Sequence, residues 1–299
     1  MKKKKPFGCL YIVIGLILLA LIWYWQNFSL QTTRFTLSYD GLPKGFDGYR
    51  IALISDMHGI EFGHKNGTLV KRIQDFDPDI VVCTGDMISS NAKDGQAFLN
   101  FLESIGDRYS IYMCLGNHEQ IAQWYEHGSE SDYGYESFIN QVKESGVYIL
   151  DNQTKILEKD GDRIHISGLT LQLYHYSRRD DPYADDSLLL KTSYIESALG
   201  PASSGFHLLL AHSPSYFNEY AEWGADLVLS GHMHGGIIQV PFKGGLLSPE
   251  HVFFPEFDAG LFEKGSSRMI VNRGLGNSVI NVRLFNRPEL TEITLKTKP

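Results

Sequence analysis

Five short apolar segments of this 299-residue chain each run directly into a polar cluster, and this pattern constrains the fold most strongly. The segments are bounded by turn signals, so they predict buried strands. Amphipathic stretches between them predict helices, and such alternation is typical of an α/β sheet with helices packed on its faces. The predicted strands are residues 50–55, 79–84, 110–115, 206–211 and 225–230, and the predicted helices are residues 67–76, 95–105, 135–145, 187–199 and 214–223.

The strands of a second predicted set are shorter and have one apolar and one polar face, which favours a mixed or antiparallel sheet. These strands are residues 155–159, 163–167, 269–272 and 292–296. Two long segments, 119–134 and 171–186, are polar and aromatic-rich without clear periodicity. Loops of this length are often lids or binding loops, so they are candidates for a substrate cap, with plain surface insertions as the alternative.

The polar clusters contain residue types that bind metal ions. The carboxyl ends of the strands in an open α/β sheet meet in one crevice, so two aspartates, one asparagine and five histidines are expected to converge there. Alternate residues of an extended segment point the same way, which suits D-x-H and H-x-H to shared ligation. Carboxylate and imidazole ligands favour zinc, manganese or iron over calcium. The residues in question are Asp56, His58, Asp86, Asn117, His118, His212, His232 and His234.

The ordered series D-x-H, G-D, G-N-H-E, H and G-H-x-H resembles the calcineurin-like metallophosphoesterases over about residues 48–297. The resemblance implies a four-layer α/β/β/α sandwich of two mixed β-sheets flanked by helices, with a site for two divalent ions. By that likeness one ion is held by Asp56, His58 and His234, the other is held by Asn117, His212 and His232, and Asp86 bridges the two.

That ligand set implies hydrolysis of phosphate mono- or diesters by attack of a metal-bridging hydroxide on phosphorus. His118 is the candidate to donate a proton to the leaving oxygen or to stabilise the charge of the transition state. Glu119 is expected either to orient His118 or to be a surface residue at a helix start.

Motifs in the tail, including F-F-P, R-G-L-G-N-S and F-N-R-P-E, resemble the YkuE/YaeI-like membrane- or wall-associated branch of that family. The branch commonly has G-H-T-H-G-G-Q, whereas Met233 and Ile237 replace the polar residues here. No metal ligand is lost by this departure, but hydrogen bonding near the site is expected to differ. Arg273 and Asn277 lie in the glycine-rich loop and are candidates for binding a phosphate, with a structural salt bridge as the alternative for Arg273.

The N-terminus predicts a membrane anchor. Four lysines, Lys2 to Lys5, precede 19 uncharged residues from Phe7 to Trp25. As a helix this segment spans about 28 Å, close to the roughly 30 Å hydrocarbon core of a bilayer. It shows neither the polar stripe of a core helix nor a small-x-small cleavage site, which favours an uncleaved transmembrane signal anchor.

The lysines also predict the topology, because cationic flanks stay in the cytoplasm. The N-terminus is therefore expected in the cytoplasm and the catalytic domain outside it, in a single-pass protein of the cell membrane. The predicted organisation is an anchor over residues 1–25, a polar stalk over 26–34 and one domain over 35–299.

Composition excludes some classes of protein and leaves others open. With 35 acidic against 27 basic side chains, a general nucleic-acid binder is excluded, because it needs a basic face. Cys9, Cys83 and Cys114 support no disulfide framework. The sequence therefore favours a membrane-anchored phosphoesterase acting on a phosphorylated small-molecule, lipid or cell-wall substrate. The alternatives are a pyrophosphatase on a nucleotide-linked lipid or sugar precursor, and a non-catalytic metal-bound scaffold of the cell envelope.

Overall fold

The computed structural model describes residues 7–128, 134–176, 189–277 and 282–298, with side chains from residue 10 onward. The helices are α1 (Phe7–Phe28), α2 (Gly67–Phe76), α3 (Gln96–Ile105), α4 (Asn117–Gly128), α5 (Tyr135–Glu144), α6 (Thr192–Leu199) and α7 (Phe217–Trp223). The strands are β1 (Gln31–Tyr39), β2 (Arg50–Ile54), β3 (Ile80–Cys83), β4 (Ser110–Met113), β5 (Tyr148–Ile149), β6 (Gln153–Lys159), β7 (Asp162–Leu169), β8 (His207–Ala211), β9 (Leu227–Ser230), β10 (Gln239–Val240), β11 (Gly244–Gly245), β12 (Gly260–Lys264), β13 (Ser267–Val271) and β14 (Glu289–Thr297).

The strands form two large mixed sheets and one small hairpin. The first sheet has the order β1-β14-β2-β3-β4-β5, and the strands from β2 to β5 are parallel. The second has the order β12-β13-β9-β8-β7-β6, with a parallel centre and an antiparallel strand at each edge. Strands β10 and β11 pair with each other as the hairpin.

Side-chain alternation explains how the sheets stack. In β2, Ile51 and Leu53 point into an apolar core that also contains Leu208 and Leu210 of β8, so this core lies between the two sheets. The intervening Ala52 belongs to a separate core with residues of α2, α3 and α5. A third core joins the outer face of the second sheet to α6 and α7. These three cores confirm the predicted α/β/β/α sandwich.

The nine predicted strands and the five predicted helices are all confirmed, with differences at their ends. The loop predicted over residues 119–134 is wrong, because residues 117–128 form α4. Only Glu119 and Ala122 of this helix are buried, so it carries no apolar stripe that could reveal it in the sequence. The second predicted loop falls largely on residues 177–188, outside the described residues, and Leu173–Tyr176 at its start form a 3₁₀ turn.

Helix α1 contains a 19-residue segment, Leu10–Phe28, that is long and apolar enough to cross a membrane. The stalk predicted over residues 26–34 is not a separate segment, since α1 extends to Phe28 and β1 begins at Gln31. Gln26 and Asn27 are buried, and the side-chain oxygen of Asn27 accepts a hydrogen bond from the backbone N–H of Arg283 at 2.8 Å. The polarity of Asn27 therefore serves a contact with the domain.

Candidate metal centre

Most residues of the predicted centre lie on turns that follow strands, while Asn117 and His118 begin α4. Five of them have left-handed backbones, namely Asp56, His58, Asp86, His232 and His234, with φ between 44° and 69°. Such a conformation costs roughly 1–3 kcal/mol for a non-glycine residue and is found preferentially at functional sites. The turns are held in place partly by their own side chains, because the carboxylate of Asp56 accepts the backbone N–H of His232 at 3.0 Å.

The described residues form three groups of possible ligands within this cluster, of which two share no residue, while the third, His58, Asp86 and His118, overlaps both. Asp56, His58 and His234 bring three ligand atoms within 4.8 Å of one another, as do Asp86, His212 and His232. The Asp86 carboxylate also lies close to the first group, since its Oδ2 is 3.0 Å from Nε2 of His212 and 3.8 Å from Nε2 of His58. Asp86 thus belongs to the second group and also approaches His58 of the first.

Asn117 begins α4, and the next residue, His118, donates its backbone N–H to the Asp86 carboxylate at 2.9 Å. The side-chain oxygen of Asn117 is buried and has no hydrogen-bond partner among the described residues, and the same holds for Nε2 of His58. A buried polar atom without a partner costs about 1–3 kcal/mol, so such atoms in a native protein indicate a missing partner. Carboxylate and amide oxygens with imidazole nitrogens form a donor set suited to manganese, zinc or iron. The residues present therefore fit divalent ions.

Backbone carbonyl groups orient two of the imidazole rings. Nδ1 of His212 lies 2.6 Å from the carbonyl oxygen of Thr84, and Nδ1 of His234 lies 3.2 Å from that of Gly276. Donation from Nδ1 to a carbonyl places the lone pair on Nε2, which is the tautomer that binds a metal ion.

Burial and charge set the protonation of the ligands. Burial lowers the pKa of His58 to about 3, so its ring is neutral at neutral pH. Burial also lowers the pKa of His234. For Asp86 burial acts in the opposite direction, but the neighbouring His212 and His118 outweigh it and hold the pKa of the carboxyl well below its usual range. Neutral His58 and His234 rings beside an ionised Asp86 are forms required for ligation. Burial tends to lower the pKa of His212, but Asp86 outweighs it and raises the pKa to about 10, so this ring loses a proton when an ion binds.

Glu119 performs a role that the sequence did not indicate. It is completely buried, and its carboxylate accepts the backbone N–H groups of Asp86 and Gly116 at 2.8 Å and of Met87 at 2.7 Å. Burial, together with the nearby Asp86, raises the pKa of Glu119 to about 7, and the backbone hydrogen bonds limit this rise. The expected surface position is wrong, although Glu119 does lie in the first turn of α4. Its carboxylate joins the turn after β3 to the turn after β4, and orientation of His118 by Glu119 stays a prediction.

Glycines allow these turns to approach one another closely. A β-carbon on Gly116 would overlap Oδ1 of Asp86, and one on Gly231 would overlap Oγ of Ser55. Glycine is therefore required at both positions by the packing of the turns around the carboxylates.

The model of the calcineurin-like phosphoesterases matches residues 49–236, which is more than half of the chain and includes every residue of the cluster. The chain belongs to the calcineurin-like phosphoesterase family. The match confirms the family that the motifs indicated, and with it a metal-dependent phosphoesterase.

Three relatives are similar over most of the chain. The uncharacterized metallophosphoesterase YkuE of Bacillus subtilis is 29% identical over 280 residues, covering 92% of this chain and 88% of its own. The phosphodiesterase YaeI of Escherichia coli is 26% identical, covering 73% and 70%. A transmembrane protein with a metallophosphoesterase domain from Danio rerio is 28% identical, covering 85% of this chain and 55% of its own. The first two support the branch that the tail motifs indicated.

In this phosphoesterase the candidate phosphate-binding residues of the tail have partners within the domain. The guanidinium of Arg273 lies 3.6 Å from the Glu289 carboxylate and donates to Asn286 at 3.2 Å. The side-chain oxygen of Asn277 accepts from Nε of Arg283 at 2.7 Å. The contact of Arg273 with Glu289 is the structural salt bridge that was the alternative for this residue. Substrate binding by Arg273 or Asn277 stays a prediction.

The two departures from the motif of the branch have different surroundings. Met233 is buried in the apolar core beneath α6 and α7. Ile237 has a left-handed backbone with φ of 63°, and its carbonyl oxygen accepts the side-chain amide of Asn286 at 3.1 Å. The same amide donates to the carbonyl oxygen of His234 at 2.6 Å, so Asn286 holds the turn that carries a candidate ligand.

Glu250 is a second residue that the sequence did not reveal. Its Oε1 lies 2.6 Å from Nε2 of His232, which leaves Nδ1 of that ring available for an ion. Burial tends to raise the pKa of Glu250, but His232 outweighs it and lowers the pKa to about 2. The carboxylate is therefore ionised and able to fix the tautomer of His232.

We expect Glu250→Gln to weaken metal binding by about 10- to 100-fold, because an amide is a poorer acceptor for the His232 ring. Titration of the metal-free protein with Mn²⁺, followed by calorimetry, measures this affinity. Glu256→Gln is the matched control, since Glu256 is exposed in the same segment. Unchanged affinity in Glu250→Gln would contradict a role for this pair in metal binding.

Proposed function

We propose that this protein is a membrane-anchored hydrolase of phosphate mono- or diesters that uses two divalent ions. The observation that carries the proposal is the position of the Asp86 carboxylate, which lies between an Asp-His-His group and a His-His group. That arrangement is suited to two ions sharing one carboxylate. The E. coli relative is named a phosphodiesterase, which supports the same reaction class.

The ligands are proposed residue by residue. Asp56, His58 and His234 hold one ion, Asn117, His212 and His232 hold the other, and Asp86 contacts both. Manganese, zinc and iron all suit this set. When bound, the ions supply a water nucleophile at neutral pH and neutralise the charge of the phosphate.

His118 is proposed as the proton donor to the leaving oxygen. Its Nδ1 accepts the backbone N–H of Ser90 at 2.9 Å, so in the neutral ring the proton is on Nε2. Nε2 faces the centre, 3.9 Å from Oδ2 of Asp86, and about a fifth of the side chain is exposed. The proton is thus on the nitrogen that a bound ester would meet, and the ring remains accessible to substrate.

The full-length chain in detergent is expected to hydrolyse bis-p-nitrophenyl phosphate in the presence of Mn²⁺. Asp86→Ala removes the carboxylate between the two groups, so its hydrolysis should fall to background. Asp107→Ala changes an exposed aspartate and should retain the parental rate. A folded parental chain that turns over no ester with manganese, zinc or iron would favour the metal-bound scaffold instead.

His118→Asn should lower kcat by about 10²- to 10⁴-fold for an ester with a poor leaving group. The loss should be much smaller for p-nitrophenyl esters, because p-nitrophenolate leaves without a proton. Comparing phenyl with p-nitrophenyl phosphate esters measures this difference. His64→Asn, an exposed histidine, is the control. An equal loss with both leaving groups would argue against proton donation.

The anchor is proposed to place the domain outside the cytoplasm. Helix α1 is long and apolar enough to span a bilayer, and the lysine run before it keeps the N-terminus inside. The Danio rerio relative is named a transmembrane protein, which supports the anchor.

Alkaline phosphatase fused after Pro299 should be active in intact bacterial cells, because this reporter requires an extracytoplasmic location. A β-galactosidase fusion at the same site should be inactive. The reverse pattern would refute the outside placement. Replacing the four lysines with glutamines in the parental fusion should reduce the phosphatase signal.

A further inference from the structure

We propose that an exposed apolar surface beside the end of α1 inserts into the same bilayer as the anchor. We call it the phenylalanine surface, and it consists of Phe242, Phe253, Phe254, Leu284 and Phe285. The inference rests on the membrane anchoring proposed above, and it adds a second membrane contact made by the domain itself.

Backbone pairing makes this surface continuous. Phe242 lies at the tip of the β10–β11 hairpin. On one side of the hairpin, the carbonyl oxygen of Leu284 accepts the N–H of Gln239 at 3.0 Å. On the other side, the N–H of Phe254 donates to Leu246 at 3.1 Å. The rings and the leucine are therefore presented by three adjacent chain segments.

The backbone at these positions is a second, independent observation. Phe242, Phe254 and Phe285 have left-handed φ values of 67°, 50° and 53°. Bulky residues seldom adopt this conformation, and all three side chains are exposed. Strained residues cluster at functional surfaces, so the strain indicates that these rings serve contact with another phase or molecule.

The surface is attached directly to the end of the anchor. The guanidinium of Arg287 stacks 4.4 Å above the ring of Trp25 and donates to the carbonyl oxygen of Ser29 at 3.0 Å. The N–H of Arg283 donates to the side chain of Asn27 at 2.8 Å. The segment that carries Leu284 and Phe285 is thus fixed where α1 leaves the membrane.

The topology places this junction at the catalytic end of the sandwich. Strand β1 pairs in parallel with β14, with Gln31 opposite Glu289, and β14 pairs antiparallel with β2, with Thr291 opposite Leu53. The start of β1 and the end of β2 therefore lie at the same end of the sheet.

The occupant to which the geometry points is the lipid bilayer. Aromatic rings on a surface that adjoins a membrane span are suited to the headgroup and acyl boundary, about 5–10 Å deep. The surface also carries a cationic side chain, since Nζ of Lys243 lies 5.9 Å from the ring centre of Phe254. Contact at this surface holds the metal centre close to the membrane plane.

The test uses the full-length chain in nanodiscs with a fluorophore attached to one introduced cysteine. Cys9→Ser removes the native thiol of the anchor, while Cys83 and Cys114 are buried and unreactive. The labelled variants are Phe242→Cys, Phe254→Cys and Phe285→Cys. Leu19→Cys in α1 is the membrane-embedded control, and Asp107→Cys, exposed before β4 at the opposite end of the sheet, is the aqueous control. Thermal unfolding confirms that each variant is folded.

Lipids carrying a shallow nitroxide should quench the labels at positions 242, 254 and 285, lipids carrying a deep nitroxide should quench the label at 19, and neither should quench the label at 107. Quenching at 19 but not at the three phenylalanine positions would overturn the surface while leaving the anchor intact. Labels that are shielded from water but not quenched by lipid would mean a protein covers the surface, which also overturns the proposal. No quenching at 19 would refute the anchoring and the surface together, while the hydrolase activity is measured separately.

Discussion

The buried carboxylate of Asp86 is the group on which the rest of the metal centre depends. Its Oδ1 accepts the N–H of His118 at 2.9 Å, and its Oδ2 lies 3.0 Å from the His212 ring. Glu119 holds the backbone of Asp86 by a hydrogen bond of 2.8 Å. A carboxylate withdrawn from water is costly unless cations and hydrogen bonds surround it. The turns after three strands are therefore fixed relative to one another by the need to satisfy this one charge.

Helix α1, the proposed anchor, is joined to the same centre through a short series of hydrogen bonds. Asn27 at the end of α1 accepts the N–H of Arg283, and the buried guanidinium of Arg283 donates to the carbonyl oxygen of Gly276. That carbonyl oxygen also faces Nδ1 of His234. A flexible linker would let the domain move freely above the membrane. Here only Ser29 and Leu30 separate α1 from β1, so α1 is connected to the metal-binding end of the domain without a long linker.

Local sequence signals predicted most of the fold, because apolar runs such as residues 80–83 identify buried strands without further information. The ligands could be proposed because each follows such a strand. Contacts between segments that are distant in the chain leave no comparable pattern in the sequence. Glu250 meets His232 from a loop without periodicity, and Glu119 meets the turn after β3 across space. Asn27 shows the same difficulty, since its polarity indicated exposure although it is buried against Arg283.

Among the described residues with left-handed backbones, the metal centre and the phenylalanine surface differ in what stabilises the conformation. The conformation of His232 at the centre is stabilised by a hydrogen bond to buried Asp56. Phe242 and Phe285 have the same conformation with their rings exposed. Each such backbone costs about 1–3 kcal/mol. Burying a phenylalanine side chain in an apolar phase is favourable by a transfer free energy of about 1.5–3 kcal/mol. Since the two free energies are of the same order, the proposed transfer of the rings into lipid is of the size needed to offset the strain of these backbones.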